Sequence, residues 1–179
     1  MNIEIRNATA EDVKLVTWIV FAALDIYGEE SPKMTQICSE QGTLYSWENT
    51  RIVLVDGKPA GGLIAYAGEG YSQMRENTWP RCWDDPKEVL DAVGQECFPG
   101  EFYLDSMALL PEYRGLGLGK ELVLDAVRIA REKGCKCATL LADKNKHGLV
   151  AYYEKIGFQK YDSMWYFDHD YWKMRFNTI

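Results

Sequence analysis

Long apolar runs are missing from this sequence of 179 residues. None approaches the roughly 20 residues that a membrane-spanning helix needs. The amino terminus "MNIEIRNATAEDV" also lacks the basic start and apolar middle of a secretory signal. Both absences argue against membrane insertion and secretion, so we expect a cytoplasmic protein without a membrane partner.

Histidine is scarce, and the cysteines show no pairing pattern. The two histidines are isolated, and the five cysteines are odd in number and scattered along the chain. Such cysteines do not indicate a disulfide framework, so we expect reduced thiols. Cys135 and Cys137 are close in sequence, but no second Cys or His pair follows to complete the four ligands of a structural zinc site. We expect no metal.

Positive charge is in deficit. The chain has 20 Lys and Arg against 27 Asp and Glu, which gives a formal charge of −7. Nucleic-acid binding depends on neutralising phosphates with Lys and Arg, so this balance argues against a general affinity for nucleic acid. An acidic, solvated surface accounts for the charge by itself, and a preference for a cationic partner is the more specific alternative.

The chain does have enough apolar residues for one packed core. Hydrophobic residues make up 47% of the sequence, and the length is short for two domains, which predicts a single domain over residues 1–179. Residues 68–99 break the regular patterns with several tryptophans and prolines around one short helical piece. We interpret them as an insertion over the sheet.

The remaining patterns predict an α/β fold of the α+β type. Asp56-Gly57 between two apolar runs is a strong hairpin signal. Helical spacing predicts a first helix to about Gly28, a less regular one over 33–47, and two that end at Gly134 and Gly157. Alternation predicts two strands in the tail and further strands in 3–9, 51–67, 101–110 and 136–143. Together these elements predict a mixed, mostly antiparallel central sheet flanked by helices.

Three glycines alternate with leucines in "RGLGLGKEL", residues 114–122, directly before a predicted helix. A helix that begins near Leu118 presents free N–H groups and the positive end of its dipole here, and glycines would let a phosphate approach them. This is not a P-loop, which would need glycine at position 114 and Ser or Thr at position 121, where the chain has Arg114 and Glu121. It is not a dinucleotide fingerprint either, which would need glycine in place of Lys120. A turn that only allows close packing of strand and helix is the alternative.

The stretch "LDSMALLPEYRGLGLGKEL" resembles the strand, turn and helix of the GCN5-related N-acetyltransferases. In that family an Arg or Gln is followed by two residues of any type, a Gly, one further residue, and then a Gly or Ala. Arg114, Gly117 and Gly119 match this pattern. The resemblance extends to "IRNATAEDV" and to "AYYEKIGF", so it covers nearly the whole chain apart from residues 68–99. It implies the fold of that family and acetyl-coenzyme A (acetyl-CoA) as co-substrate.

The resemblance also implies how acetyl-CoA is held. The family's glycine turn binds the pyrophosphate through backbone amides, and Arg114 and Lys120 would add local positive charge. The family's central strand separates from a neighbour, and the pantetheine arm then completes the unpaired backbone. The turn maps onto Gly115, Leu116, Gly117, Leu118, Gly119 and Lys120. The strand maps onto Met107, Ala108 and Leu109.

Tyr153 matches the family tyrosine that acts as general acid toward the departing sulfur. The alternative is a tyrosine that packs its ring and leaves its hydroxyl in solvent. Tyr152 stands one residue earlier and competes for the assignment. Asn145 is a further candidate for cofactor contact, because family members carry an asparagine seven residues before the tyrosine; the spacing here is eight to Tyr153 and seven to Tyr152.

Acetyl transfer to an amine needs a base, because an amine with a pKa of about 10.4 arrives protonated. Asp105 lies in the apolar run "FYLDSMALL", so it should either have a partner or face a cleft. The family often uses a carboxylate on this strand as base through water, which suggests Asp105, with Glu101 as competitor and a structural aspartate as alternative. A backbone N–H near Leu109 is the candidate oxyanion donor.

By resemblance, the acceptor pocket lies among the first two helices, the 68–99 segment and the tail. Aromatic and carboxylate side chains there suit an ammonium group, although packed aromatics beside a solvated acidic loop are the alternative. The candidates are Tyr27, Glu29, Glu30, Trp47, Tyr71, Trp79, Trp83, Asp84 and Asp85.

We therefore interpret the chain as an N-acetyltransferase that moves the acetyl group of acetyl-CoA directly to a primary amine of a small cationic molecule. Two alternatives stay open. One is a module that binds CoA or acyl-CoA without catalysis, and the other is an enzyme that acetylates protein or peptide amines. Monomer and homodimer are both compatible with the sequence.

Overall fold

The computed structural model describes residues 1–28, 31–82, 87–166 and 168–179, which form a seven-stranded sheet in the order β1-β2-β3-β4-β5-β7-β6. The strands are β1 (Ile3–Asn7), β2 (Thr50–Val55), β3 (Lys58–Ala67), β4 (Glu101–Leu109), β5 (Cys137–Asp143), β6 (Gln159–Tyr166) and β7 (His169–Asn177). Only β4 and β5 pair in parallel, and the other neighbours are antiparallel. The predicted mixed, mostly antiparallel sheet is confirmed.

Helices cover both faces of the sheet. They are α1 (Val13–Ala23), α2 (Pro32–Ser39), α3 (Tyr71–Cys82), α4 (Lys87–Ala92), α5 (Leu118–Glu132) and α6 (His147–Ile156). α5 and α6 pack into the core on one face, and α1, α2, α3 and α4 pack into the core on the other. Within the described ranges, no helix combines the length and apolar content needed to cross a membrane.

The first two helices are shorter than the sequence predicted. α1 stops before Gly28 because Asp25 adopts a left-handed φ of 58°, which a continuing helix does not allow. α2 stops at Ser39 and does not run through residues 33–47, because Glu40 is extended, with φ −91° and ψ 146°. Both predicted helices are therefore present, but each covers fewer residues than predicted.

The segment of residues 68–99 holds two helices where the sequence predicted one. α4 corresponds to the predicted short helix, and α3 was missed. Pro80 lies inside α3, and proline argues against a helix interior in sequence. Tyr71 and Trp79 of α3 are buried in the core with α1 and α2, so packing stabilises a helix that has little apolar periodicity of its own.

The strands around the centre of the sheet create an opening. β4 pairs with β5 only from Glu101↔Cys137 to Tyr103↔Thr139, although both strands continue for several residues. On its other side, β4 stays paired with β3 up to Leu109. The later part of β4 therefore lacks a partner on the β5 side, which is the separation that the resemblance implied.

Candidate active site

A cavity of about 500 Å³ lies where β4 and β5 separate. Its walls come from the end of α1, β4, the end of β5, the start of α6 and the β6–β7 hairpin. Its ionisable residues are Asp25, Tyr45, Glu96, Tyr103, Asp105, Asp143, Lys146, Tyr166, His169 and Tyr171. Four carboxylates against one lysine and one histidine make this cavity acidic.

Asp105 faces this cavity because of a β-bulge. Ile64 pairs with Ser106 and Ala65 pairs with Leu104, so Asp105 has no opposite residue on β3. The bulge lets Asp105 and Ser106, which are consecutive, both line the cavity. Burial raises the pKa of Asp105, whereas the hydrogen bonds that its carboxylate accepts lower it.

Each Asp105 oxygen accepts one hydroxyl. The Tyr66 hydroxyl donates to Oδ2 at 2.5 Å, and the Ser106 hydroxyl donates to Oδ1 at 2.7 Å. These donors fix the carboxylate orientation and favour its charged form. Asp105 is therefore both the partnered and the cleft-facing aspartate that the sequence left as alternatives.

Glu96 is the second carboxylate in this part of the cavity, and sequence reasoning missed it. Its side chain accepts hydroxyls from Tyr71 at 3.0 Å and Tyr103 at 2.8 Å, and the residue is only 4% exposed. Burial, followed by the charge of Asp105, raises the pKa of Glu96 to about 7. Glu96 lies in the loop "GQECFPG" before β4, which has no helix or strand periodicity, so its sequence position gives no sign of burial.

Glu101, the competitor for the base, is the first residue of β4, four residues before Asp105. Its carboxylate accepts the backbone N–H of Phe98 at 3.0 Å, and burial raises its pKa. It is not among the described residues that line the cavity. The structure therefore brings Asp105 together with Glu96 and leaves Glu101 apart.

Glycines give the turn before α5 an open backbone. Gly115 and Gly117 have φ of +78° and +81°, and a Cβ on either would meet no atom within 4 Å. Gly117 caps α5, and its carbonyl accepts the Lys120 N–H at 3.0 Å. The N–H groups ahead of Lys120 belong to the first turn, which has no intrahelical acceptors and carries the positive end of the dipole. This backbone fits a pyrophosphate.

The turn is held against the end of β4 and against α6. Arg114 Nε donates to the Leu109 carbonyl at 3.1 Å. A Cβ built on Gly119 would lie 3.0 Å from the Tyr152 hydroxyl and 3.6 Å from the terminal methyl of Met107. The expected pantetheine strand, the expected pyrophosphate turn and Tyr152 therefore meet at one place.

The remaining residues of the two expected cofactor segments differ in exposure. Leu118 is fully buried in the core under α5, whereas Leu116 is 43% exposed. Lys120 is exposed beside the turn, as is Arg114. Ala108 packs on the opposite face of β4, in the core with α1.

Tyr153 lies in the core that α5 and α6 form with the sheet, and it is not among the cavity-lining residues that the structure describes. The residue is 9% exposed, and its ring meets those of Tyr152 and Phe158 edge-on at centroid distances of 5.4 and 5.8 Å. Burial raises the pKa of Tyr153 well above its usual value, so the phenol keeps its proton throughout the neutral range. Asn145 is exposed in the turn before α6, where its backbone N–H donates to Asp143 Oδ1 at 2.8 Å.

The described residues expected to line the acceptor pocket do not line this cavity. Tyr71 does not line the cavity but donates its hydroxyl to Glu96, and Trp79 borders a separate cavity of about 480 Å³ between α3 and α4. Trp47 packs against the core, and Tyr27 is 55% exposed. The aromatic residues of α3 fill the core instead, because they lie on its buried face. Glu29, Glu30, Trp83, Asp84 and Asp85 lie outside the described residues.

The lysine and the histidine that line the cavity both lie beside acids. Lys146 Nζ lies 2.7 Å from Asp25 Oδ2, and His169 Nδ1 lies 3.3 Å from Asp143 Oδ2. Both pairs include side chains that are about half exposed. In the described part of the chain, no group of three or more His, Cys, Asp or Glu is arranged to hold a metal ion.

Comparisons with known proteins agree with this geometry. The family model described as "Acetyltransferase (GNAT) family" matches residues 18–158. Glucosamine 6-phosphate N-acetyltransferase of Trypanosoma brucei brucei is 37% identical over 60 residues, which are 34% of this chain and 39% of that protein. Mycothiol acetyltransferase of Paenarthrobacter aurescens (strain TC1) is 34% identical over 105 residues, 59% of this chain and 29% of that protein. The chain therefore spans well under half the length of these relatives.

A solved structure shares the whole fold. The crystal structure of an N-acetyltransferase from Staphylococcus aureus Mu50 superposes with a TM-score of 0.79 at 20% sequence identity. The match covers 97% of this chain and 100% of that chain. At this identity the likeness establishes the common architecture.

Proposed function

The chain belongs to the GNAT family of acetyltransferases, and on that premise we propose that it transfers the acetyl group of acetyl-CoA directly to a primary amine of a small cationic molecule. The observation that supports this acceptor class is the pair of carboxylates in the cavity, the buried Glu96 and the partly buried Asp105. Neither has an ion-pair partner within the described residues. An ammonium group would supply the missing positive charge.

The glycine turn is the proposed pyrophosphate site. Its open backbone at Gly115 and Gly117 and the first turn of α5 offer N–H donors to an anion. Met107, Ala108 and Leu109 would pair with the pantetheine arm along the free edge of β4, with Tyr152 and Asn145 as further contacts. When bound, acetyl-CoA supplies an acetyl group activated as a thioester.

Two side chains and one backbone group have proposed roles in the transfer. Asp105 faces the ammonium of the acceptor from the β-bulge, and Tyr153 supports the departing sulfur with its retained proton. The backbone N–H near Leu109 is the proposed donor to the oxyanion. Donors fixed by a strand need little reorganisation as charge develops, which is why such an arrangement favours acyl transfer.

The shape of the cavity favours a small acceptor over a protein segment. The end of α1 and the β6–β7 hairpin both line it, so an extended polypeptide would have to pass between two walls. The tyrosine rings of Tyr45, Tyr103, Tyr166 and Tyr171 offer apolar surface and cation–π contact to an organic ammonium.

The proposal is tested by measuring CoA release from acetyl-CoA with a panel of amines. The panel contains monoamines, diamines, amino sugars and peptides with a free amino terminus, and the Asp105→Asn variant serves as the matched control. We expect turnover of small cationic amines and its loss in the variant. CoA binding without turnover of any amine would support a binding module instead, and a preference for peptides would support a protein acetyltransferase.

A further inference from the structure

Two carboxylates from different parts of the chain, one buried and one partly buried, share the wall of the acceptor cavity. Asp105 projects from the bulge in β4, and Glu96 comes from the loop that precedes this strand. We propose that Glu96 is the catalytic group that takes the proton from the acceptor's ammonium, while Asp105 supplies the negative charge that holds this ammonium. The inference rests on the proposed function and deepens it.

Four hydroxyls hold the two carboxylates in place. Tyr71 and Tyr103 each donate to one oxygen of Glu96, as Tyr66 and Ser106 do to the oxygens of Asp105. An ionised carboxylate has about four lone-pair sites, so one accepted bond per oxygen leaves capacity for the N–H groups of an ammonium. Both groups are therefore oriented but not saturated.

The surroundings of Glu96 contain little charge that would compensate it. The charge of Arg75 lowers the pKa of Glu96, but its guanidinium donates to the carbonyls of Leu90 and Val93 at 2.7 and 2.9 Å. Lys173 Nζ lies 3.4 Å from the carbonyl oxygen of the adjacent Gln95. The other titratable groups that face Glu96 are Asp105, Cys97, and the tyrosines Tyr45, Tyr66, Tyr71, Tyr103, Tyr166 and Tyr171. Burial raises the pKa of Cys97 and of each tyrosine, so all remain neutral near pH 7. Asp105 is left as the charge that repels an ionised Glu96.

This asymmetry separates the roles of the two acids. Burial raises the pKa of both acids, and the hydroxyl hydrogen bonds that each accepts oppose this effect. The charge of Asp105 adds to the effect of burial on Glu96 and helps to raise its pKa to about 7. A base is most effective when its pKa lies near the working pH. In this assignment Asp105 is the counter-charge, and Glu96 exchanges a proton in the neutral range.

The proposed step balances as follows. One N–H bond of the ammonium breaks, its proton forms an O–H bond on Glu96, and the electron pair stays on nitrogen. Nitrogen then attacks the thioester carbon, and the C–S electrons leave with sulfur, which receives the proton of Tyr153. The second nitrogen proton replaces the one that Tyr153 gave away. Glu96 returns its proton to solvent through the cavity once the product leaves.

The first test compares the pH dependence of kcat/KM for the wild type and Glu96→Gln. In the wild type, kcat/KM should fall tenfold per pH unit below about 7. In Glu96→Gln, we expect this dependence to disappear and kcat/KM at pH 8 to be at least ~100-fold lower. The dissociation constant of CoA, measured by titration calorimetry, should stay within about twofold, because the glycine turn is separate from Glu96. A variant that keeps the wild-type pH dependence overturns the inference.

A pair of phenylalanine substitutions keeps the inference testable even if Glu96→Gln does not fold. Tyr103→Phe removes a hydrogen bond that favours ionised Glu96, so the rise of kcat/KM should move to higher pH. Tyr66→Phe removes a bond to Asp105, raises the pKa of Asp105 and so weakens its repulsion of Glu96. The rise should then move to lower pH.

The opposite result would identify Asp105 as the proton acceptor. If Tyr66→Phe moves the rise to higher pH and Tyr103→Phe leaves it in place, Glu96 does not take the proton. A wild-type enzyme without turnover of any amine overturns the proposed function together with this inference. Turnover with the contrary pH shifts overturns only the inference.

Discussion

Tyr152 and Tyr153 are adjacent in the sequence but lie in different surroundings. The Tyr152 hydroxyl lies against Gly119 at the start of α5, while Tyr153 packs in the core between Tyr152 and Phe158. Successive helix residues point about 100° apart, so one residue can face the cofactor turn while the next faces the core. Sequence spacing alone left this choice open because both residues are tyrosines.

This difference predicts separate effects for two matched variants. Tyr153→Phe should lower kcat by roughly 100-fold, the low end for general acid catalysis, because a thiolate leaves more readily than an amine. Tyr152→Phe should raise the dissociation constant of CoA several-fold and spare kcat. Steady-state kinetics and titration calorimetry separate the two effects. Equal kcat in the wild type and Tyr153→Phe would remove Tyr153 from the reaction.

The buried Glu96 also predicts how the free energy of unfolding depends on pH. Its pKa in the folded protein, about 7, lies above the ordinary value of 4.5, so folding favours the protonated acid. The stability that this acid contributes is complete below about pH 4.5 and is lost as pH rises through about 7. Each pKa unit corresponds to about 1.4 kcal/mol, so the wild type should lose roughly 3 kcal/mol relative to Glu96→Gln across this range.

Urea unfolding of both proteins between pH 4.5 and 8 measures this difference. Glu88→Gln, on the exposed surface of α4, is the matched control and should follow the wild type at every pH. A constant difference between the wild type and Glu96→Gln would mean that Glu96 does not titrate in this range.

At the scale of elements, local chemistry determines which parts of the fold are readable from sequence. Asp56 and Gly57 adopt φ of 49° and 78°, as a two-residue hairpin turn requires, and Gly134 follows α5 with φ of 72°. These residues specify their backbone directly, so both elements were predicted. α3 and the bulge at Asp105 depend on packing between distant segments, so neither has a local signal in the sequence.

In the candidate site, too, residues with a local sequence signal were predicted, and the residue without one was missed. The glycine turn was located by residue type, since few other residues tolerate its left-handed positions. Asp105 was found because a carboxylate in an apolar strand is unusual. Glu96 was missed because its burial is created by Tyr71 of α3 and Tyr103 of β4, which meet only in the folded chain.

The two ends of α5 offer a matched test of the pyrophosphate turn. Gly117 and Gly134 both have positive φ, 81° and 72°, and a Cβ on either would meet no atom within 4 Å. Alanine at either position should therefore cost a similar backbone strain, about 1 kcal/mol. Only Gly117→Ala adds a methyl group to the turn, so only this variant should weaken CoA binding, by about tenfold or more.

Thermal unfolding and CoA titration of both variants test the prediction together. We expect both variants to lose the same amount of stability. Only Gly117→Ala should lose affinity for CoA. Equal CoA affinity in both variants would contradict the assignment of the turn, whatever their stabilities.

At the scale of the whole molecule, negative charge should influence which acceptors reach the cavity. The chain carries a formal charge of −7, and the acceptor cavity adds four carboxylates to a locally acidic surface. Lys146 and His169 of the cavity are paired with Asp25 and Asp143, so they do little to neutralise the buried acids. The field of the protein should therefore attract cationic acceptors and speed their encounter with the cavity.

Ionic strength tests this attraction. The Debye length falls to about 10 Å at 0.1 M salt, so added salt screens the long-range field while leaving contacts inside the cavity less affected. We expect log kcat/KM to fall with ionic strength about twice as steeply for a diamine as for a monoamine, because the attraction scales with acceptor charge. An arylamine that is neutral at pH 7.5 provides the control and should show almost no slope. Equal slopes for all three acceptors would mean that the acidic cavity selects its acceptor by shape and hydrogen bonding, without help from the charge of the molecule.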